Sequence, residues 1–316
     1  RICIPVPLYH CFGMVMGNLA SVTLGTTMVY PGEGFDPLAT LTTIAQEKCT
    51  TLYGVPTMFI AMLDHPERQS LDLSSLRTGI MAGSTCPIEV MKRVIDDMHL
   101  AEMQIAYGMT ETSPVSFQSA TDDPLDRRVS TVGRIHPHLE VKVVDADGRI
   151  VPRGEPGELC TRGYSVMKGY WGKPEETEAA FEGGWFHSGD VGTMDEEGYI
   201  TIVDRTKDVI NTGGVLVASR EVEDAILTHP AVSECAVVGL PDERWGKVVT
   251  AFIRRHDPSL TPEMLDEHCK HSGLANFRRP RSYVFVREIP RSPVGKLLRR
   301  CLVAGEYEPE KLPTNA

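Results

Sequence analysis

Apolar residues along the first 120 positions alternate between two rhythms. Ile2 to Pro7 is a short apolar run of strand length, a helical stretch follows from about Gly13, and Thr26 to Tyr30 reads as a second strand. Asp36 followed by Pro37 marks a helix start, because a proline ring fixes φ at a helical value and the first turn needs no N–H there. Leu38, Leu41, Ile44 and Ala45 then share one face. Thr51 to Tyr53 reads as a further strand, and Gly79 to Ser84 as a strand running into a glycine-bearing turn. Pro87 opens a helix with Ile88, Met91, Ile95 and Met98 at helical spacing. Strands alternating with helices predict an α/β domain with parallel layers.

From about Val129 the texture changes to short alternating segments, Glu140 to Val144, Gly157 to Thr161 and Tyr199 to Val203, separated by Asp147-Gly148, Pro156-Gly157 and Gly183-Gly184. This predicts a small β-rich, barrel-like subdomain. After Asp204 come a helix (Arg220 to His229), strands Glu234 to Gly239 and Val248 to Arg254, a helix from Pro262 and a strand Tyr283 to Val286. The expected organisation is a large domain over 1–206, α/β to 127 and β-rich from 128, then a small α+β domain over 207–316. The charged run Asp204-Arg205-Thr206-Lys207-Asp208 is the boundary candidate; a surface turn is its plain alternative.

Composition narrows the class. With 316 residues the chain has room for two cores, and 41% hydrophobic with 24% charged residues is ordinary for a soluble globular protein. A formal charge of −11 weighs against a general nucleic-acid binder, since phosphate-backbone affinity comes from Lys and Arg, although local basic clusters can still hold small phosphates. The eight cysteines lie far apart without a CxxC pair, which predicts reduced thiols in a cytoplasmic protein. Phe12 to Leu24 is the most apolar stretch, interrupted by Gly13, Gly17, Asn18, Ser21 and Thr23. It falls short of the ~20 residues a membrane span requires and predicts a buried helix. No charged-then-apolar leader opens the chain.

Four clusters carry candidate chemistry. Tyr107-Gly108-Met109-Thr110-Glu111-Thr112 places a ring, a glycine, hydroxyls and a carboxylate on one expected loop, suited to a base, phosphate oxygens and Mg²⁺. Trp185 to Asp190 ends in a carboxylate after a glycine, able to accept from ribose hydroxyls. Asp204 to Gly214 joins Arg205, Lys207 and Asp208 to the pair Gly213-Gly214, where a missing Cβ permits close approach of a ligand. Pro290-Arg291-Ser292-Pro293-Val294-Gly295-Lys296 sets a lysine on a proline- and glycine-shaped loop, from which a cationic arm can neutralise developing phosphoryl charge. Taken alone, the first reads equally as a capped loop, and the other three read more readily as a turn, a solvated charged turn and a solvated lysine.

In this order and at these separations the clusters resemble the adenylate-forming superfamily of acyl-CoA synthetases, aryl-CoA ligases, luciferases and peptide-synthetase adenylation domains. Pro7-Leu8-Tyr9-His10 with Gly13, Gly54-Val55-Pro56-Thr57, Ala82-Gly83-Ser84 with Pro87, and Gly157-Glu158-Leu159 fit as well. The resemblance covers essentially the whole chain. It implies an ATP- and Mg²⁺-dependent ligase that joins a fatty or aryl acid to coenzyme A through acyl-AMP. Gly83, Ser84, Tyr107 and Gly108 would line the adenine site, Thr110 would touch phosphate or acyl carboxylate, and Glu111 would hold Mg²⁺. Asp190 and Arg205 would grip ribose, Lys296 would be the adenylation lysine, and Lys207 the hinge for rotation of the small domain. His10 would stand at the acyl pocket, with a satisfied core histidine as its alternative. Gly213 and Gly214 would line a pantetheine tunnel, and Trp245, Phe277, Arg279 and Arg281 would hold the CoA nucleotide, where a basic surface turn is the competing reading.

Two departures stand out. The family's glycine- and serine-rich phosphate loop should precede Pro7, and the chain starts at Arg1; the expectation is a piece of a longer protein, poorly active alone, with exposed core surface that favours association, for example as a homodimer. Gly214-Val215-Leu216-Val217-Ala218-Ser219 also lacks the Glu-Asn of many relatives. An amino-acid adenylation domain is the nearest rival, but Tyr9-His10-Cys11-Phe12 offers no carboxylate for a substrate ammonium. A non-catalytic binding module is the rival from another class, against which Glu111, Asp190, Arg205 and Lys296 argue together.

Overall fold

The computed structural model describes residues 1–84, 86–292 and 296–310; Pro293 to Gly295 of the expected lysine loop, and 311–316 of the expected small domain, lie outside them. By contacts the chain divides into two compact units, Arg1–Ser188 with Gly192–Ile202, and Gly189–Val191 with the chain from Val203. The expected boundary at Lys207 lies a few residues beyond that division.

The first unit holds a seven-stranded sheet of β1 (Ile2–Cys3), β2 (Met28–Val29), β3 (Thr51–Gly54), β4 (Thr78–Ala82), β5 (Glu102–Gly108), β6 (Val115–Gln118) and β7 (Arg134–Ile135), in the order β2-β1-β3-β4-β5-β6-β7. The first five strands are mutually parallel, and β6 and β7 add antiparallel. Its helices are α1 (Ala20–Leu24), α2 (Pro37–Glu47), α3 (Pro56–Leu63), α4 (Ile88–Asp97), α5 (Leu125–Ser130) and α6 (Pro174–Ala180). Asp36 caps α2 by accepting the Ala39 N–H at 2.7 Å, with Pro37 in the first turn, so two side chains satisfy the start of that helix. Alternation along the strands sends residues to two cores: Leu52 and Met81 join Leu41, Phe59 and Met91 on one face, while Tyr53 and Ile80 join Ile4 and Phe12 on the other. Burial on both faces is what a parallel sheet demands. Pro56, which the sequence showed only as part of a motif, opens α3.

The Phe12 to Leu24 stretch is helical, a π-helix (Phe12–Leu19) running into α1, but it is not buried as expected. Phe12, Gly13, Gly17 and Ser21 face inward, whereas Leu19, Val22 and Leu24 are 54, 69 and 77% exposed. A helix on a sheet buries one stripe, and its apolar content does not say how many neighbours cover it.

A second sheet follows, of β8 (Leu139–Val144), β9 (Gly157–Gly163), β10 (Phe186–Met194) and β11 (Ile200–Arg205), ordered β11-β10-β9-β8, around Phe117, Val143, Leu159 and Ile200. The other unit contains the hairpin β12 (Ile210–Thr212) and β13 (Val215–Val217), the three-stranded sheet β14 (Val232–Asp242), β15 (Gly246–Arg255) and β16 (Ser282–Phe285), and helices α7 (Ser219–Leu227), α8 (Pro262–His271) and α9 (Arg299–Val303). Val237 and Ala251 face one core, Ala236 and Phe252 the other.

Candidate functional site

In the first unit the carboxyl ends of the parallel strands gather the candidate residues. Ala82 at the end of β4 pairs in register with Ala106 on β5, so Gly83 and Ser84 leave the sheet beside Tyr107 and Gly108. In open α/β sheets this rim is where ligands bind. Tyr107 to Thr112 is not the single loop expected: Tyr107 and Gly108 belong to β5, and Thr110–Thr112 forms one 3₁₀ turn. The turn is pinned from within. Thr112 is buried, its hydroxyl donates to the Pro114 carbonyl at 2.8 Å and accepts the Met109 N–H at 3.2 Å, which leaves Thr110 and Glu111 on the outer side.

The His10 segment reaches the same rim, with Cys11 Sγ 3.7 Å from Thr110 Oγ1. His10 Nδ1 accepts the Phe12 N–H at 3.2 Å, so the neutral ring carries its proton on Nε2. Gly13 allows this turn, since a Cβ there would lie 2.4 Å from the Pro7 carbonyl oxygen. Glu111 Oε1 accepts from the Tyr170 hydroxyl at 3.0 Å, and its backbone carbonyl accepts the Met167 N–H at 2.8 Å. Burial and then Glu111 raise the Tyr170 phenol, so Tyr170 stays a donor. Tyr170, 59 positions away, escaped the sequence reading. The aromatic pair Tyr170-Trp171 set between Gly169 and Gly172 was its only signal.

The second unit holds the rest. Asp190 lies on β10 rather than in a turn, is 6% exposed, and approaches Arg205 Nε at 3.3 Å from the end of β11. Beside it, buried Asp204 accepts the Ser219 N–H at 2.5 Å and the Ser219 hydroxyl at 2.8 Å, a carboxylate at the start of α7. Gly213 and Gly214 form the two-residue turn of the β12–β13 hairpin with φ of +58° and +85°, conformations that favour glycine. A Cβ on Gly213 would meet the Trp245 ring at 2.6 Å, and the Gly213 N–H donates to the Trp245 carbonyl at 2.9 Å. Trp245 in turn carries Arg281 and Arg244 over its ring, at 4.7 and 5.1 Å. Phe277 is 44% exposed with Arg278 over its ring, Arg279 donates to Asn276, and Arg278 pairs with Glu221 at 2.6 Å.

Lys207 is exposed, as is Lys296. Lys296 stands on a short hairpin whose stem is the Arg291 to Leu297 bridge, with Ser292 N–H donating to the Lys296 carbonyl at 2.8 Å and Lys296 N–H to Ser292 Oγ at 3.1 Å. The proline and glycine expected to shape its tip lie outside the described residues.

Glu111 fits a Mg²⁺ site of the sparse kind, where one carboxylate serves beside phosphate oxygens and water. Among the described residues, Glu158, Cys160 and His187 bring three metal-type donor atoms within 4.8 Å. There, burial and then Glu158 push the Cys160 thiol up to about 12, so it remains protonated, and His187 Nδ1 lies 2.8 Å from Glu158.

A parallel rim bearing Tyr-Gly-x-Thr-Glu, followed by a small α+β unit with a presented lysine, defines the class. Residues 1–171 match the AMP-binding enzyme family and 221–296 the AMP-binding enzyme C-terminal domain, and the chain belongs to the AMP-binding enzymes. It is similar to the medium-chain acyl-CoA ligase ACSF2, mitochondrial, of Danio rerio, 45% identical over 305 residues that cover 96% of this chain and 50% of that one. Among solved structures it resembles ATP-bound MatB from Rhodopseudomonas palustris (TM-score 0.87, 30% identity, 96% of this chain and 59% of that chain). It also resembles the o-succinylbenzoate CoA synthetase of Bacillus subtilis in complex with its acyl-adenylate intermediate (TM-score 0.84, 30% identity, 96% and 60%). The chain spans about half the length of the curated relatives it matches.

Proposed function

We propose that the protein carrying this chain is a carboxylate:CoA ligase that forms an acyl-AMP from ATP and then a thioester. The observation that supports this best is the rim of the parallel sheet, where His10 follows β1, Gly83 follows β4, and Tyr107, Thr110 and Glu111 lie at the end of β5. Gly83 and Tyr107 flank adenine, and Thr110 donates to phosphate or substrate carboxylate. Glu111 is the carboxylate for Mg²⁺, which when bound neutralises polyphosphate charge. Asp190, nearly buried and paired with Arg205, accepts from the ribose hydroxyls. Lys296 neutralises charge at the α-phosphorus as the substrate carboxylate attacks and pyrophosphate leaves. No covalent enzyme intermediate is required.

The acid we propose is fatty or aryl; ACSF2 is named a medium-chain ligase, which favours the fatty side. Gly213, Gly214, Trp245, Phe277, Arg279 and Arg281 serve CoA in this reading, with Arg281 and Arg244, which suit phosphates, already lying over the Trp245 ring. Lys207 is the hinge. The eight cysteines stand outside any disulfide, and no helix among the described residues is long and apolar enough to cross a membrane. This supports a reducing compartment, for which we propose the cytoplasm.

The test is CoA-dependent AMP release by the full-length protein across a panel of acids. Lys296→Ala is expected to lower ATP–pyrophosphate exchange at least about 100-fold, the scale of one lost transition-state contact. Exchange undiminished in that variant, or no AMP release with any acid, ends the assignment.

A further inference from the structure

The presented lysine has a built anchorage that its exposure conceals. Arg299 begins α9, just past the Lys296 hairpin, and its guanidinium is turned inward. Its Nη2 donates to both carboxylate oxygens of Glu223 on α7, at 2.7 and 2.8 Å, and Glu223 Oε1 also accepts the Val237 N–H from β14 at 2.7 Å. Arg299 Nε donates to the Val237 carbonyl at 3.3 Å, and Nη1 lies 3.4 Å from Asp208 Oδ2. The three side chains are only 20% (Arg299), 12% (Glu223) and 15% (Asp208) exposed. On the other side of the hairpin, Arg291 pairs with Glu234 at 2.8 Å and Leu298 N–H donates to the Pro290 carbonyl at 2.9 Å.

Burying a charged triad in a small unit is a costly way to gain stability, since desolvation offsets much of the attraction. What the triad supplies is geometry. A planar guanidinium bound by two oxygens on one side and a third carboxylate on another has a single orientation, which a lysine or an apolar side chain does not have. Asp208 follows Lys207, the hinge candidate, directly in the chain. The three residues therefore join the base of the Lys296 hairpin to the backbone at the hinge.

We propose that Arg299, held by Glu223 and Asp208, is a positioning residue that locks the Lys296 hairpin to the Lys207–Asp208 backbone, so that Lys296 is delivered for adenylation as part of a rigid piece. The proposal rests on the ligase reading and deepens it. Lys296 touches the reacting phosphate; Arg299 acts only through it. The lock consequently matters for the half-reaction that uses Lys296 and not for the one that does not.

The experiment separates the halves in the full-length protein: ATP–pyrophosphate exchange for adenylation, and thioester release from supplied acyl-AMP and CoA. Arg299→Lys keeps the charge and loses the fork. Glu223→Gln combined with Arg299→Met removes the pair together while Gln still accepts the Val237 N–H, which protects folding. Both are expected to reduce kcat for exchange roughly 10- to 100-fold, the scale of an ångström-sized misplacement of a catalytic group. The KM for ATP and the thioester half are expected to stay within about threefold, because uniform binding is untouched. Lys296→Ala is the reference. If it abolishes exchange while both lock variants retain it, the lock is refuted and the ligase reading stands. If the two halves fall in parallel with the unfolding midpoint, the triad is merely structural and the proposal is likewise refuted. If Lys296→Ala leaves exchange intact, the ligase reading fails and the lock with it.

Discussion

Gly108→Ala is the sharpest single test of how the rim is built. An added Cβ would lie 1.8 Å from the Pro114 carbonyl oxygen, 2.8 Å from its carbon and 2.9 Å from Val115 Cα, whereas ordinary contact begins near 3.4 Å. All three obstacles are backbone atoms, so no side chain can rotate aside and the strands β5 and β6 must part by about 1.6 Å, the difference between 3.4 and 1.8 Å. Forced overpacking of this kind costs about 1–3 kcal/mol. Parting the strands also strains the hydrogen bond from Thr112 to the Pro114 carbonyl, worth about 1 kcal/mol. The expected loss is about 2–4 kcal/mol, measured as the shift in urea midpoint at constant slope. Because that bond pins the turn presenting Thr110 and Glu111, ATP–pyrophosphate exchange should fall as well. Gly214→Ala is the control: its Cβ meets nothing within 4 Å, but its φ of +85° is unfavourable to alanine, a strain of about 1–2 kcal/mol. A Gly108→Ala protein no less stable than the Gly214→Ala protein would show that the strands are not as close as described.

Two further outcomes follow from burial. Desolvation pushes the Glu223 carboxyl from 4.5 up to about 7 despite the opposing pull of Arg299. A raised carboxyl stabilises the fold while protonated and loses that contribution as pH rises from 4.5 through 7. The stability of the parent minus that of Glu223→Gln should therefore decline across this window in urea titrations, and a flat difference would contradict the burial of that carboxyl. The Cys160 thiol, fully buried and pushed up to about 12, should resist iodoacetamide in the folded protein and react on unfolding, while half-buried Cys11 and Cys301 react before it. Mass spectrometry of the labelled peptides reads the order, and early Cys160 labelling would be the contrary result.

Elements whose signals are local were legible in the chain. Asp36-Pro37 and Thr261-Pro262 each combine a capping side chain with a ring suited to the first turn, and both open helices, α2 and α8. The α/β class follows from the same alternation. The expectation of a buried Phe12 to Leu24 failed because periodicity counts apolar positions without counting neighbours. The expectation of a single loop at Tyr107 to Thr112 failed because strand β5 gains its last residues from pairing with β6, through Tyr107 opposite Phe117 and Gly108 opposite Val115.

By itself the sequence determined which chemical groups are present, in what order, and which local turns and caps they make, since those depend on a few adjacent residues. Only the tertiary structure decided who meets whom: Tyr170 with Glu111, Trp245 with Gly213, and Arg299 with Glu223 across 76 positions. Such pairings arise when the sheets bring distant segments together, and a guanidinium or carboxylate carries no mark in the chain of the partner that burial will assign to it.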